Sequence, residues 1–183
     1  MRRKSITSEM MKSYIADSLL LLMENKNFQD ITIEEIVKKA GVNRSTYYRH
    51  FNKKEDVILY FLDNISRDIA EYEKVAFFSL EAHLTNIYAH YFEHKRQMLT
   101  IYRNGLSFLF FDTLKKYLEK AMHSSKQVPL QYNIAFHIGG TFNHFMLWFS
   151  RNMIDSPETM AKYMLDILPE NYIHHIWGEQ TKE

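Results

Sequence analysis

The chain has 183 residues, a formal net charge of only +1 and a hydrophobic content of 46%, which is ample for a globular core. It contains no cysteine, and this excludes disulfides, thiol nucleophiles and thiolate metal sites. No apolar run reaches the length of about 18 residues that a membrane helix needs. Polar residues follow the basic start Met1-Arg2-Arg3-Lys4, where a signal peptide needs an apolar stretch. We therefore expect a globular, cytoplasmic protein with no membrane segment.

The charge is distributed unevenly along the chain. Residues 1–55 carry 11 Lys or Arg against 7 Asp or Glu, whereas residues 56–183 carry 12 against 15. Arg2, Arg3 and Lys4 are expected to form a short arm before the first helix, which either lies along a nucleic-acid groove or only solubilises the chain. A polyanionic partner is therefore expected at the N-terminal end.

The first predicted helices are apolar on one side. One covers Tyr14 to Met23, and a second begins near Thr32. Thr32 can cap this second helix while Glu35 reaches back to it, which is the capping-box pattern. The apolar residues of the second helix fall on one face: Ile33, Ile36, Val37 and Ala40. Gly41 follows where a left-handed turn would end the helix.

A third, short helix is expected after this turn, with Asn43 as its cap. Its buried side would consist of Val42, Tyr47 and Phe51. The side chains that point largely outward suit phosphates and base edges: Arg44, Ser45, Thr46, Tyr48 and Arg49. Such a pair of short helices is typical of a DNA-reading helix-turn-helix, although an ordinary helical hairpin with a solvated basic face has the same pattern.

The run from Gly41 to Glu55 favours the DNA-reading interpretation. It reads Gly41-Val42-x-x-x-Thr46-x-Tyr48-x-His50-Phe51-x-x-Lys54-Glu55 and resembles the N-terminal signature of TetR/AcrR-type transcription regulators. The resemblance extends upstream through the apolar helix and the corner Asn27-Phe28, so it covers roughly the first third of the chain. Two departures are visible, since Asn27 stands where glycine is usual and Arg49 where an aromatic residue is more frequent.

The resemblance implies an all-α fold with an N-terminal three-helix DNA-binding domain at residues 1–55. A helical effector-binding and dimerisation domain would follow at residues 56–183. The resemblance also implies that Tyr48 and Lys54 bind backbone phosphates of double-stranded DNA. The residues implied to face the major groove are Arg44, Ser45, Thr46 and Arg49, and His50 and Lys53 complete the predicted DNA-binding set. The methyl group of Thr46 could instead pack inside the hairpin.

A continuous helix that starts at Asn52 is expected to leave the hairpin. Its apolar residues keep helical spacing towards a break near Phe77-Phe78-Ser79: Val57, Ile58, Phe61, Leu62, Ile65 and Ile69. Further helices are predicted at about 80–95, 97–103, 106–123, 129–152 and 157–168. Capping or turn residues mark their ends: Asn104-Gly105, Pro129, Ser156-Pro157-Glu158 and Pro169. No stretch sustains the period-two alternation of a strand, so we expect only helices.

The second part of the chain is rich in aromatic residues and methionine. Most of these must form a core, because an aromatic stripe is more often packing than a ligand pocket. The family resemblance nevertheless implies an apolar pocket for a small apolar or aromatic effector. The predicted ligand-binding residues are Tyr88, Phe92, Tyr102, Phe108, Phe111, Phe142 and Phe145.

Gly139-Gly140 interrupts an otherwise strong helix at a cost of about 1 kcal/mol per glycine, so a close approach by a ligand or another helix backbone is expected there. The sequence leaves both possibilities open. The apolar faces of the last two predicted helices indicate a homodimer built from two helices of each subunit, which the resemblance also implies. The predicted interface residues are Ile138, Gly139, Phe142, Phe149, Met160, Met164 and Ile167.

The histidines and polar residues give no diagnostic pattern for a metal site or a catalytic site. His90 and His94 lie one helical turn apart, but no cysteine or acidic cluster completes a site, so neither a metal nor a cofactor is predicted. No nucleophile–base pair or phosphate-binding glycine loop has the spacing that an enzyme needs. The sequence thus predicts a ligand-released repressor that acts as a homodimer on a near-palindromic operator. The alternative is a coactivator-like module that acts through a protein partner.

Overall fold

The computed structural model describes residues 2–72, 79–122 and 128–168. Over these ranges the chain forms helices and no strand, which confirms the predicted all-α class. A short 3-10 helix, Phe28–Asp30, lies between the first two of the α-helices. The α-helices are α1 Arg2–Met23, α2 Ile33–Ala40, α3 Arg44–His50, α4 Lys54–Tyr72, α5 Leu80–Glu93, α6 Lys95–Arg103, α7 Ser107–Met122, α8 Val128–Ser150 and α9 Pro157–Ile167.

Side-chain caps fix several of the helix ends where the sequence predicts them. Thr32 accepts a hydrogen bond from the Glu35 amide at 3.2 Å, and the Glu35 carboxylate accepts one from the Thr32 amide at 2.8 Å, so the capping box of α2 is complete. Asn43 caps α3 by accepting from the Thr46 amide at 2.8 Å. Ser156 caps α9 in the same way, with Pro157 in the first turn. These caps are confirmed.

Two helix starts differ from the prediction. Helix α1 begins at Arg2, so the basic residues Arg2, Arg3 and Lys4 belong to its first turn and do not precede it. No glycine or proline interrupts the polar residues before Tyr14, and the helix therefore extends through them. Helix α4 begins at Lys54 and not at Asn52, because the Asp56 carboxylate accepts from the amides of residues 52 and 53 at 2.9 and 3.1 Å. The predicted break at Phe77-Phe78 and the predicted stop at Pro169 lie outside the described residues.

The described residues divide into two compact units. The first comprises the chain up to Ile65 together with Arg96–Thr113, and the second comprises Ser66–Lys95 and the residues from Leu114 onward. The functional division predicted between residues 55 and 56 stays a prediction. The core of the first unit is apolar, and its fully buried side chains are Ile15, Leu19, Ile36, Tyr47, Val57, Ile58 and Leu62.

Aromatic rings form the core of the second unit. Tyr88 of α5 lies with its ring centroid 5.1 Å from Phe145 and 5.5 Å from Trp148, both on α8. The Tyr88 hydroxyl is 2.9 Å from Nδ1 of His144, and the Trp148 indole donates to the Asp155 carbonyl at 3.1 Å. The polar atoms of these two aromatic residues are therefore satisfied inside the core.

Across residues 2–72, 79–122 and 128–168, no helix combines the length and the apolarity that a membrane crossing requires.

Candidate nucleic-acid interface

The turn between α2 and α3 sets the direction of α3. Gly41 has a φ of 66°, in the left-handed region that glycine adopts without strain. The amide of Val42 donates to the Val37 carbonyl at 3.0 Å, which closes the end of α2. On the inner side of α3, Tyr47 is fully buried and Phe51 is nearly so, with their ring centroids 5.9 Å apart. The opposite side of the helix is consequently presented to the outside.

Helix α3 presents the polar face that the sequence predicts. Arg44, Ser45, Tyr48 and Arg49 are exposed. The Arg44 guanidinium donates to the Tyr48 hydroxyl at 3.3 Å and lies 5.5 Å from the centre of its ring. This hydrogen bond raises the pKa of Arg44 further above its ordinary value, so the group is always a cation. The two side chains form a pre-arranged pair on the surface of the helix.

The two hydroxyl-bearing residues of α3, Ser45 and Thr46, differ in their exposure. The Ser45 hydroxyl donates to Oδ1 of Asn43 at 2.7 Å, which leaves its oxygen able to accept from a base or an amide. Thr46 is half-buried between the exposed Ser45 and the buried Tyr47. Its position is compatible with a base contact and with packing of its methyl group.

His50 and Lys53 lie at the end of α3 and just beyond it. Lys53 is exposed. His50 is half-buried, with its ring centroid 6.4 Å from that of Phe51. Burial lowers the pKa of His50, and the charges of Lys12 and Arg49 lower it further. The imidazole is therefore mainly neutral at pH 7 and can meet a phosphate through one N–H group only.

Lys54 is hydrogen-bonded through its side chain to residues 28–31, which precede α2. Its ammonium donates to the carbonyls of Phe28 at 2.6 Å, Ile31 at 2.7 Å and Gln29 at 3.3 Å, and it lies 4.6 Å from the centre of the Phe28 ring. Burial lowers the pKa of Lys54. An ammonium has three N–H donors, and all three have acceptors here. The predicted phosphate contact of Lys54 would have to displace one of these carbonyls.

Two residues of this unit have roles that the sequence analysis missed. Lys26 binds the Glu35 carboxylate at 2.8 Å and, together with Thr32, lowers the pKa of Glu35 to about 2. Asn104 hydrogen-bonds to the Phe28 amide at 2.8 Å although it lies 76 residues further along the chain. Neither pairing follows a helical period, so periodicity gave no signal for it.

The predicted ligand-binding residues belong to both compact units, and the pocket they would form stays a prediction. Tyr88 and Phe145 are 1% and 2% exposed and pack on each other, so they are core residues. Phe92 is half-buried and stacks on Trp148, and Phe142 is half-buried on the same helix as Trp148. The other three predicted residues belong to the first unit, where Phe108 is 54% exposed: Tyr102, Phe108 and Phe111.

The predicted dimer residues differ in their exposure within the single subunit, and the interface itself stays a prediction. Ile138, Phe149, Met160 and Met164 are exposed by 4% or less, because they pack inside their own subunit. Both sides of α8 are apolar, and periodicity alone could not tell the inner side from the outer one. Large apolar side chains remain exposed on α8 and α9: Val128, Tyr132, Phe136, Leu147, Tyr163 and Ile167. We call Tyr132, Phe136, Leu147, Tyr163 and Ile167 the outer apolar face.

The glycine pair of α8 has space around it. A Cβ atom at Gly139 or Gly140 would meet no atom of the described chain within 4 Å outside the local helix backbone. Packing within the subunit therefore does not require glycine at either position.

The pair His90 and His94, which lie one helical turn apart in the sequence, is at the end of α5. His90 Nδ1 lies 2.9 Å from the Asn86 carbonyl, and His94 ends α5. Among the described residues, no three His, Asp or Glu side chains come together as a metal site would need.

Comparisons with known proteins match the helix-turn-helix segment to a family of regulators. The model for bacterial regulatory proteins of the tetR family matches residues 16–61, which include all of α2 and α3. YxbF of Bacillus subtilis, an uncharacterized HTH-type transcriptional regulator, is 19% identical over 93% of this chain and 48% of its own length. The HTH-type transcriptional regulator EthR of Mycobacterium tuberculosis is 39% identical over 24% of this chain and 20% of EthR. The chain thus spans about half the length of the first relative and a fifth of the second.

A solved structure has the same fold. The TetR transcriptional regulator from Streptococcus agalactiae superposes with a TM-score of 0.61, covering 91% of this chain and 97% of its own, at 18% identity. Residues 16–61, which contain the capped helix-turn-helix, thus match the tetR family of bacterial regulatory proteins, and the chain has the fold of a TetR transcriptional regulator.

Proposed function

We propose that the protein is a transcriptional repressor that binds a near-palindromic operator as a homodimer and is released by a small apolar or aromatic effector. The observation that carries the proposal is the exposed face of α3, on which Arg44 and Tyr48 are held together by a hydrogen bond. The N-terminal residues of a recognition helix are those that reach base edges in the major groove. Arg44 is the first residue of α3 and is therefore suited to this contact.

The chemistry of this face suits DNA. An arginine can donate two parallel hydrogen bonds to O6 and N7 of guanine, and such a pair discriminates against the wrong base by about 1–3 kcal/mol. Ser45 offers an oxygen that can accept a hydrogen bond, and Tyr48 offers a hydroxyl that could donate to a backbone phosphate. Arg49 and Lys53 add positive charge at the other end of α3. Base reading and phosphate binding would thus come from one short helix.

The homodimer is supported by the outer apolar face. Tyr132 and Phe136 are 75% and 77% exposed in the single subunit. Burial of apolar surface contributes about 25 cal/mol per Å², so covering two such rings and their neighbours is favourable. Gly139 and Gly140 leave room beside them, where a helix of a second subunit could approach closely. This favours dimer packing over a ligand as the reason for the glycine pair.

Release by an effector requires two arrangements of the protein that bind the effector differently. Helix α4 contributes its residues up to Ile65 to the first unit and those from Ser66 to the second, so one continuous helix belongs to both. The reading heads of a dimer must match half-sites spaced by about 34–36 Å or a multiple. A change at α4 that alters this spacing would weaken several contacts at once and free the operator.

Selection of bound DNA from a random pool tests this proposal. We expect an enriched near-palindromic sequence, and an affinity that falls steeply with salt because phosphate contacts release counterions. A screen for compounds that dissociate the enriched DNA then identifies the effector class. If no duplex is preferred even at low ionic strength, the proposal is wrong, and a module that acts through a protein partner becomes the better description.

A further inference from the structure

The side chain of Asn104 makes three hydrogen bonds. Its Oδ1 accepts from the Phe28 amide at 2.8 Å, and its Nδ2 donates to the carbonyls of Met23 at 3.3 Å and Thr100 at 2.9 Å. One of these partners is a donor and two are acceptors, so the amide can be oriented in only one way. Two of the three bonds reach backbone groups more than 70 residues away in the sequence.

These two bonds join the end of α1 to the start of the 3-10 helix. Met23 is the last residue of α1, and Phe28 is the first residue of the 3-10 helix. The backbone groups at helix ends have no partner within their own helix and need one from elsewhere. Asn27, the residue in the cap position, makes no side-chain capping bond among the described residues. Asn104, which directly follows α6, supplies that cap.

Lys54 holds the same corner from the other side. The amide of Phe28 is bound by Asn104, while its carbonyl accepts from the Lys54 ammonium at 2.6 Å. The phenyl ring between them is 2% exposed. Ile31, whose carbonyl also binds Lys54 at 2.7 Å, directly precedes the cap of α2. The position at which α2 begins is therefore fixed by two side chains, one from α4 and one from the end of α6.

We propose that Asn104 is a positioning residue for DNA recognition, which holds the corner at residues 23–31 and through it the orientation of α2 and α3. The inference depends on the proposed function, since it concerns how the reading helix is placed. A second contact also links α6 to this corner. Arg96 forms an ion pair with Glu24, directly after α1. The Arg96 side chain is 69% exposed, so this pair contributes little, and the Asn104 amide is the main polar connection.

The test compares variants of the full chain on the DNA enriched by selection. Asn104→Leu removes all three bonds at similar volume. We expect about tenfold weaker binding to the operator, which corresponds to about 1.4 kcal/mol, because the corner and with it α3 would no longer be held in one position. Binding to random duplex should stay at the wild-type level, since it depends on charge and not on the placement of α3. The Phe28 amide should exchange its hydrogen faster with solvent.

Thr113→Val is the matched control. The Thr113 hydroxyl donates to the carbonyl four residues earlier at 3.0 Å, as Asn104 does to Thr100, but it has no link to the corner. It lies in the same compact unit. This variant should keep wild-type affinity for the operator and wild-type exchange at Phe28. A similar loss in both variants would mean that general destabilisation is responsible, and it would overturn the inference.

Asn104→Asp gives a second, milder variant in case the leucine variant does not fold. The carboxylate keeps an acceptor for the Phe28 amide and loses both donors. We expect a smaller loss of operator affinity and a Phe28 amide that stays protected. Folded Asn104 variants that bind the operator as tightly as wild type overturn the positioning role alone. Failure of the wild-type protein to prefer any duplex refutes the proposed function instead.

Discussion

At the scale of single side chains, the proposed function gives Arg44 and Lys53 different roles on DNA. The guanidinium of Arg44 is fixed by one hydrogen bond at 3.3 Å and has further N–H donors free to point away from the helix. Holding the side chain in advance lowers the entropy lost when it reaches a base. Lys53 is also exposed, but its single-point charge suits any phosphate and carries no sequence information.

We predict that Arg44→Ala weakens binding to the selected operator by about 1–3 kcal/mol and relaxes the preference at one base position of each half-site. Lys53→Ala should weaken binding to all sequences alike and reduce the salt slope by about one counterion per subunit. Binding curves on the operator and on its single-base variants, at several salt concentrations, measure both effects. Equal losses on every sequence for the two substitutions would contradict the base-reading role of Arg44.

Tyr47 and Tyr88 are both buried tyrosines, but among the described residues only the Tyr88 hydroxyl has a hydrogen-bond partner. No hydrogen-bond partner of the Tyr47 hydroxyl is found among the described residues, whereas the Tyr88 hydroxyl lies 2.9 Å from His144. Burial raises the pKa of both phenols, so both hydroxyls stay protonated. A buried polar group without a partner costs stability, while a satisfied hydrogen bond contributes about 1 kcal/mol.

We therefore predict opposite effects for two identical substitutions. Tyr47→Phe should leave the free energy of unfolding unchanged or raise it by about 1 kcal/mol, and Tyr88→Phe should lower it by about 1 kcal/mol. Urea denaturation at pH 7 measures both values. A clear loss of stability in Tyr47→Phe would reveal a partner for that hydroxyl, and the argument would fail.

At the scale of helices, the capping box of α2 makes the stability of the protein depend on pH. Lys26 and Thr32 lower the pKa of the Glu35 carboxyl from its ordinary value of 4.5 to about 2. When folding lowers the pKa of a carboxyl, its ionised form stabilises the folded protein at every pH above the pKa of the unfolded state. This contribution disappears as the pH falls to the pKa of the folded state. The stabilisation by Glu35 is thus complete above about pH 4.5 and lost by about pH 2.

Glu35→Gln separates this titration from the cap itself, since glutamine also completes a capping box. We predict that the variant loses less stability than wild type when the pH is lowered from 5 to 2, and that it is less stable than wild type at pH 7. Thermal unfolding followed by circular dichroism at several pH values checks this. Identical pH profiles for the two proteins would show that the Lys26 contact does not stabilise the fold.

The helices also show which features can be predicted from sequence and which cannot. The caps of α2, α3 and α9 depend on residues within four positions of each other, so local pattern was sufficient to find them. The bonds of Asn104 and Lys54 join residues 76 and 26 positions from Phe28, and no local pattern encodes such pairs. Helix α8 is apolar on both sides, and the choice of its inner side depends on which helices cover it. That choice is a property of the tertiary fold.

At the scale of the whole molecule, the outer apolar face is the surface through which we propose that two subunits associate. Its five side chains are each more than half exposed, although their chemistry favours burial. A two-fold dimer uses the same surface on both subunits, so one substitution alters the interface twice. Two recognition helices on one particle are also what a near-palindromic operator requires. Self-association and tight operator binding should consequently be lost together.

Phe136→Asp places a charge on this face, and we predict a monomer that binds only half-sites, and binds them weakly. Loss of the two phenyl rings that a dimer would bury lowers the free energy of dimerisation by about 3–6 kcal/mol. The affinity between the subunits therefore falls by more than about a hundredfold. Leu21→Asp on α1 is the control, because Leu21 is also exposed, at 43%, but lies outside the face. Ile138→Asp should unfold the subunit, since Ile138 is 4% exposed. Light scattering after size exclusion measures the mass of each folded variant, and a Phe136→Asp protein that remains dimeric would mean that the subunits associate through a different surface.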